Sequence, residues 1–435
     1  MSLSTQPYKG TRDFYPEDKR LQSYIFNKWR EVCETFGYEE YDAPVLEPTE
    51  LYLAKGNEEI VQEQTYTFTD RSERSVTMRT EMTPTVSRMV AAKRQELPYP
   101  LRWYSIPNLW RYERPQKGRL REFWQLNVDI FGVAGIEGDQ EIIQVADAIM
   151  RSFGAKRDMY NIRLNSRALM DYITREYLGL DLAQATTTVR LIDRMQKLEA
   201  AEFREQLQGI FTPEQREEGL AAKLDQILTA KSLKDLPEEV AKQPAAAGLV
   251  ALEALLAAQG VSNAGYDPTL MRGFDYYTDI VFEVFDTDPT NNRSMFGGGR
   301  YDGLVGQFGV EPVPTAGFGM GDVTFQNFLE AHGLLPDLRS VTDLYVILIG
   351  DVYERSLKVI SELREMGVKV AVDLTGRKTD KQLKTALKKQ IPYIMFIGSQ
   401  ELESEQFKLK NLSANSEDTY SIQRIVSIVK DYRLK

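Results

Sequence analysis

Histidine and cysteine are almost missing from this 435-residue chain: His332 is its one histidine and Cys33 its one cysteine. A single cysteine cannot close an internal disulfide, which excludes a disulfide scaffold and points to a reducing compartment. Nor can one residue of each kind build a Cys/His zinc centre, so no metal site is expected from those types. A histidine-assisted Ser or Cys nucleophile would have to rely on His332. Its setting, Glu330-Ala331-His332-Gly333, reads as a helix end and gives it a structural part. Long apolar runs are missing too. The candidates at 248–261 and 344–350 fall short of the roughly 20 residues a membrane helix needs. Met1–Gly10 lacks the apolar core of a secretory leader. Positive charge is in deficit, with 54 Lys and Arg against 64 Asp and Glu and a net of −10. That argues against indiscriminate coating of nucleic acid while leaving local basic sites open. The composition describes a soluble cytoplasmic protein of two to four domains, at roughly 100–200 residues each.

What is present falls into distinct stretches. Leu21, Ile25, Trp29, Val32 and Phe36 recur every three or four residues, so 18–36 is an amphipathic helix that stops at Gly37. Residues 38–47 read as extended, with Pro44 and Pro48 preventing helix. From 60 to 135, β-rich runs at 64–69, 75–79, 101–110 and 123–131 alternate with turns, the pattern of an antiparallel sheet. Residues 183–260 are rich in Ala, Leu, Glu, Gln and Lys and form an all-helical insert. Strand character returns at 279–285, before the glycine cluster Gly297, Gly298, Gly299 and Gly303. The last hundred residues change again. Apolar strands at 344–350, 368–374 and 393–398 alternate with helices at 352–366 and 380–389, a small α/β domain with a parallel or mixed sheet. From 341 onward there are 16 Lys and Arg against 13 Asp and Glu, a net of +3 that leaves −13 for the remainder. A mildly basic appendix on an acidic body points to a polyanion contact.

Three stretches carry polar groups at strand spacing. In 123–129, Phe123, Gln125, Asn127 and Asp129 share one face, while Trp124, Leu126 and Val128 supply an apolar face for a core. Upstream, Arg111 and Glu113 share a strand face, and a hairpin loop follows. Arg111, Arg114, Lys117, Arg119 and Arg121 place five cations in eleven residues, which suits phosphate binding. In 79–85, Glu81, Thr83 and Thr85 again alternate. Cations at one end of a hairpin and amide and carboxylate groups at the other fit a nucleotide beside a small polar ligand.

At this point the chain resembles the class II aminoacyl-tRNA synthetases, and within them the histidyl-tRNA synthetases. Lys9-Gly10-Thr11-Arg12-Asp13-Phe14 is similar to that family's opening segment, and Gly37-Tyr38 followed by Pro44 to its first motif. Arg111-Tyr112-Glu113 through Arg119 and Phe123 resembles the second motif. Arg272-Gly273-Phe274-Asp275-Tyr276-Tyr277 and Gly298-Gly299-Arg300-Tyr301-Asp302-Gly303-Leu304 resemble the two histidyl peptides. The resemblance implies an α+β catalytic domain on an antiparallel sheet over 1–182 and 261–335. It also implies a helical insertion domain at 183–260 and a C-terminal α/β anticodon-binding domain at 341–435.

It implies roles as well. Arg111 and Arg272 act in catalysis on the α-phosphate and the substrate carboxylate, and Glu113, Arg119 and Phe123 join Arg111 in holding ATP. Glu81, Thr83, Arg111, Gln125, Asp129, Arg272, Tyr276, Tyr277 and Tyr301 bind histidine, with Asp129 and Tyr277 on the two imidazole nitrogens. Gln116 and Lys117 reach the tRNA acceptor end. ATP, Mg²⁺, L-histidine, a histidine tRNA and a second copy of the chain are the implied partners, with no membrane. One departure stands out. The third class II motif ends in an arginine that contacts the ATP phosphates, and this chain has Thr324 there. A hydroxyl cannot replace a bidentate cation. Another cation or Mg²⁺ then compensates, or the chain is an impaired paralogue that serves as a regulatory or tRNA-binding protein.

Overall fold

In the computed structural model, α1 (Pro16–Thr35) opens the fold, with Pro16 in its first turn and Ile25, Trp29 and Cys33 buried along one stripe. Gly37 ends it in the left-handed region at φ 78°. The structure describes residues 3–53, 64–116, 118–195, 198–271, 276–291 and 293–433.

Two sheets follow from the next segments. β1 (Glu39–Glu40), β5 (Leu101–Ser105), β7 (Glu122–Phe131), β8 (Tyr160–Ser166), β9 (Ala264–Tyr266), β10 (Ile280–Asp286), β11 (Ser294–Arg300) and β12 (Thr315–Gly321) form a large sheet. Its order is β1-β5-β7-β12-β11-β10-β8-β9, with β6 (Asn108–Trp110) pairing the start of β7. The centre is antiparallel, as the alternation implied, but the edge pairs β1·β5 and β8·β9 are parallel, so the sheet is mixed. Pro107, which has no N–H for the ladder, lies where the run 101–110 divides into two strands. A small sheet, β2-β4-β3, is built from β2 (Leu46–Pro48), β3 (Thr67–Thr69) and β4 (Ser75–Met78). One of its faces carries Leu46, Pro48 and Phe68, with Leu46 and Phe68 nearly half exposed.

Leu126, Val128 and Ile130 point from β7 into the core, against α1 and α3 (Glu137–Ser152), and the opposite face of the strand is left for the site. α2 (Thr83–Ala92) corrects the reading of 79–85 as alternating. Pro84 lies in its first turn, Val86, Val90 and Ala91 are buried at helical spacing, and Thr83 and Thr85 belong to the helix. The strand through Arg111 and Glu113 is corrected too. β6 stops at Trp110, and residues 111–115 run irregularly toward a turn at Gly118, where φ is 80°.

The described residues from Leu182 to Ala258 form helices joined by short turns, and the last helix, α4 (Pro244–Ala258), buries Leu249, Leu252 and Leu256 in the core shared with the sheet. α5 (Asp322–Ala331) follows directly on β12 and ends at His332. The His332 Nε2 lies 2.7 Å from Asp286 Oδ1, and its ring packs on Phe328, which is the structural part its setting implied.

The chain divides into compact units at Leu335 and Pro336. In the second, β13 (Leu344–Leu348) lies between β14 (Val370–Val372) and β15 (Tyr393–Ile397), both parallel to it. β16 (Phe407–Asn411) and β17 (Ser416–Tyr420) extend that sheet antiparallel. Helices α6 (Tyr353–Glu365), α7 (Thr379–Lys388) and α8 (Ile422–Arg433) complete the unit. Among the described residues no helix is long and apolar enough to cross a membrane.

Candidate active site

The polar face of β7 becomes a pocket because the strand beside it is made of glycine. Asp129 pairs with Gly317 and Asn127 with Gly319 across the β7–β12 ladder. A Cβ at Gly317 would collide with the Asp129 carboxylate, and one at Gly319 with the Gln125 amide. The two glycines let these side chains lie flat across the neighbouring strand, and the backbone becomes the pocket floor. Glu81 and Thr83, at the entry to α2, form one wall, and Tyr276, Tyr277 and Tyr301 another. The three rings pack with centroids 4.9 to 6.5 Å apart.

Charge in this inner pocket is unevenly satisfied. Asp129 is 4% exposed, and its Oδ1 accepts from the Tyr301 hydroxyl. Burial pushes its pKa up to about 7 even though the Tyr301 bond pulls the other way. No cation pairs with Asp129 among the described residues. Glu81, 6% exposed, accepts from the Tyr276 hydroxyl at 3.1 Å. Gln125 Oε1 is shut off from solvent and accepts no hydrogen bond from the described residues. An orphaned acceptor, a carboxylate and a threonine hydroxyl suit a bound ammonium group.

A second, wider cavity adjoins the first. Counting the open space at its mouth it spans about 770 Å³ against about 390 Å³ for the first, so it is the roomier of the two. Arg111, Gln125 and Gly319 line both. Arg111 Nε donates to the Thr80 carbonyl at 3.0 Å, which fixes the guanidinium at the junction, 5.4 Å from the centre of the Phe123 ring. Farther out, Arg119 faces Glu113 at 3.5 Å with its side chain 59% exposed. Thr324 also lines this cavity, but its Oγ1 donates to the Met295 carbonyl at 2.8 Å. The cations lining the cavity among the described residues are Arg111 and Arg119.

The structure thus brings together Glu81, Thr83, Arg111, Gln125, Asp129, Tyr276, Tyr277 and Tyr301 in one pocket, and Arg111, Glu113, Arg119 and Phe123 in the other. Tyr301 reaches the site through Asp129. Gln116 is exposed on the loop beyond, bridged to Arg119. Arg272 and Lys117 lie outside the described residues. Arg121, counted among the phosphate cations, is spent elsewhere: it stacks 4.0 Å over Tyr112 and donates to Tyr8 and to the Glu113 carbonyl. Asn127 and the glycine floor were not among the expected site residues. The period-two spacing of Gly317, Gly319 and Gly321 is the signal that could have found the floor.

Comparisons with known proteins give the family and the fold. A family model described as histidyl-tRNA synthetase matches residues 10–321, and one described as an anticodon binding domain matches 343–432. A histidine–tRNA ligase of Leptospira biflexa is 41% identical over 433 residues, covering 99% of this chain and 98% of that protein. The crystal structure of histidyl-tRNA synthetase from Nostoc sp. PCC 7120 superposes with a TM-score of 0.83 at 22% identity, covering 99% and 100% of the two chains, and supports the fold. The apo enzyme of S. aureus gives a TM-score of 0.73 at 27% identity, covering 98% and 100%.

Proposed function

Because the chain belongs to the histidyl-tRNA synthetase family, its reaction is the ATP-dependent ligation of L-histidine to tRNA, and we propose that the inner pocket holds the histidine and the outer cavity the ATP. The observation that carries this assignment is the position of Arg111 at the junction of the two. A substrate carboxylate entering from one side and an α-phosphate from the other meet at a guanidinium whose Nε is already anchored to Thr80. The carboxylate oxygen attacks the α-phosphorus in line and pyrophosphate leaves, giving histidyl-adenylate. The tRNA 3′ end then takes the histidyl group. The protein forms no covalent bond in this scheme; it positions the reactants and stabilises charge, which accounts for the absence of a histidine base.

In this reading Glu81, Thr83 and the orphaned Gln125 Oε1 receive the α-ammonium group. Asp129 and Tyr277 receive the imidazole. A site built to hydrogen-bond both ring nitrogens rejects analogues that lack them by roughly 10⁴-fold. Phe123 stacks on the adenine, and Arg119 swings from Glu113 to the outer phosphates; its exposure leaves it free to turn. Arg272 stays assigned to phosphate charge by its place in the histidyl peptide. Thr324 takes no part in holding phosphate, because its hydroxyl is bonded inward. The outer cavity offers one carboxylate, Glu113, and the described residues hold no cluster of three His, Cys, Asp or Glu. A resident metal does not fit such a set, so Mg²⁺ enters as the nucleotide's own complex.

The wider assembly follows. The apolar face of Leu46, Pro48 and Phe68 supports a homodimer that covers it. Lys381, Lys384 and Lys388 are exposed along α7 while Gln382 and Ala386 are buried, which supports a backbone contact to the anticodon arm. Gln116, exposed on its loop, and Lys117, by its place in the second motif, are assigned to the acceptor end, and the work is done in the cytoplasm. A silent regulatory paralogue is disfavoured because relatives named as ligases match from end to end. Histidine-dependent ATP–pyrophosphate exchange tests the assignment: robust exchange is expected, lost by at least 10³-fold in Arg111→Ala. Exchange that survives Arg111→Ala would refute the junction role.

A further inference from the structure

The inner pocket balances two of its ligand's charges with charges of its own. Glu81 faces the ammonium and Arg111 the carboxylate. Asp129 is the third charged group of the pocket, and no charge of the ligand is left to balance it; among the described residues no ion pair reaches it. Among the described residues its neighbours on the flanking strands and the aromatic wall are neutral: Gly317 on β12, Trp103 on β5, Tyr301 after β11, and the rings of Tyr276 and Tyr277, while Glu81 and Arg111 line the same pocket. Behind it lies Tyr41, a neutral phenol with its hydroxyl buried beside Ser105. Arg79, the cation that acts on Tyr41, is spent on Asp42 at 3.2 Å and on the Ala43 and Asn108 carbonyls. A carboxylate 4% exposed cannot stay charged there at little cost. A neutral imidazole brings no charge to offset it.

We propose that the substrate side chain and Asp129 are bound as a pair that holds one proton between them, with Tyr301 as the positioning residue that fixes Asp129 Oδ1 and leaves Oδ2 for the ring. The pair is neutral as a whole, either carboxylate with imidazolium or carboxylic acid with imidazole, and it titrates as a unit. In the imidazolium form Tyr277 accepts from the second ring N–H, so both nitrogens remain tested. The proposal rests on the assignment of histidine to this pocket and goes beyond it by naming the protonation state that binds.

The proton count sets the pH profile. Free Asp129 releases its proton at about 7, and a free imidazole at about 6.5. Below both values each partner arrives protonated and one proton must leave on binding. Above both, neither is protonated and one must be taken up. Affinity is therefore greatest between about pH 6 and 7 and falls about tenfold per pH unit above 8.

The test is calorimetric titration of L-histidine into the full-length protein from pH 6 to 8.5, in buffers of different ionisation enthalpy. Close to one proton taken up at pH 8.5 is expected, together with a roughly tenfold weakening from pH 7.5 to 8.5. In Asp129→Asn both should vanish, and any contribution of the α-amino group, common to the two proteins, cancels in the comparison. Tyr301→Phe removes a bond that favours the carboxylate, so the break in the profile should move to higher pH. A purely structural Tyr301 would weaken binding equally at every pH. Affinity constant within about twofold from pH 7 to 8.5, with no proton taken up, would overturn the proposal while leaving histidine in the pocket. If Asp129→Asn binds histidine as tightly as the parent at pH 7, the pocket assignment itself falls.

Discussion

Asp129 in the first unit and Asp373 in the second are buried to similar degrees, 4% and 6% exposed, and each accepts a hydrogen bond from a tyrosine. Their charges are governed in opposite ways. Burial pushes both up. For Asp129, among the described residues, only the Tyr301 bond resists, and its pKa rises to about 7. For Asp373 the bonds from Thr375, Tyr345 and Arg377 outweigh burial and hold it well below the ordinary range. Thr375 donates through both its N–H and its hydroxyl, and Arg377 approaches to 2.9 Å. A carboxylate whose acceptor capacity is filled from within its own loop is a structural post. One left short of donors in a cavity is waiting for a ligand.

The largest effect expected from this contrast is on binding. Asp129→Asn should weaken histidine by about 10²–10³-fold, since the pocket loses the charge it was short of compensating, while ATP affinity changes less than about threefold. Isothermal titration with each ligand separately reads both numbers. Equal losses for the two ligands would erase the distinction between pocket and cavity.

The strand that carries Asp129 was legible because its alternation is local. Phe123, Gln125, Asn127 and Asp129 fall on one face, and Leu126 and Val128 on the other, from sequence alone. The Tyr301 bond was not, because 172 residues separate the partners and neither has a neighbour that announces the other. Period-two spacing also misled where it ended: Glu81, Thr83 and Thr85 fit a strand equally well until Pro84 starts a helix. The fate of Arg121 was hidden for the same reason. Five cations in eleven residues state a local charge, but only the fold lays Tyr8 and Tyr112 against one of them. In the second unit the apolar strands and intervening helices as far as β15 were legible from short-range pattern, while the antiparallel β16 and β17 and helix α8 were not read.

Asp373→Asn should act on stability. The amide keeps the shape but loses charge-assisted bonds, at a cost of about 2–4 kcal/mol to the C-terminal unit. Charging of tRNA should fall before pyrophosphate exchange does, because the loop from Asp373 leads into the basic helix α7. The pH dependence separates the two aspartates by sign. Asp373 titrates below its unfolded value of about 3.9, so its contribution is complete above that pH and is lost as pH falls through the depressed value. Asp129 titrates above its unfolded value, so its contribution is greatest below about 4 and is lost as pH rises toward 7. Thermal melts of the ligand-free protein should therefore show Asp129→Asn gaining on the parent by about 1–3 kcal/mol between pH 4 and 8. A parent that gains stability relative to Asp129→Asn over that range would reverse the assignment.

The smallest effect is expected at Thr324, and it applies the same criterion to a hydroxyl. Its Oγ1 is committed to the Met295 carbonyl, with the Gly321 carbonyl at 3.3 Å, although it faces the cavity assigned to ATP. By the reasoning that separates Asp373 from Asp129, a polar group already spent inside the fold is structural whatever cavity it borders. Thr324→Val should then cost about 1 kcal/mol of stability through the lost bond and shift the KM for ATP by less than about twofold. Arg119→Ala should raise that KM by tenfold or more, because Arg119 and Arg111 are the cations lining the cavity among the described residues. Steady-state exchange at varied ATP compares the two substitutions directly. A Thr324→Val KM effect as large as that of Arg119→Ala would mean that the hydroxyl turns from Met295 to the phosphates when ATP is bound, and internal satisfaction would no longer mark a residue as structural.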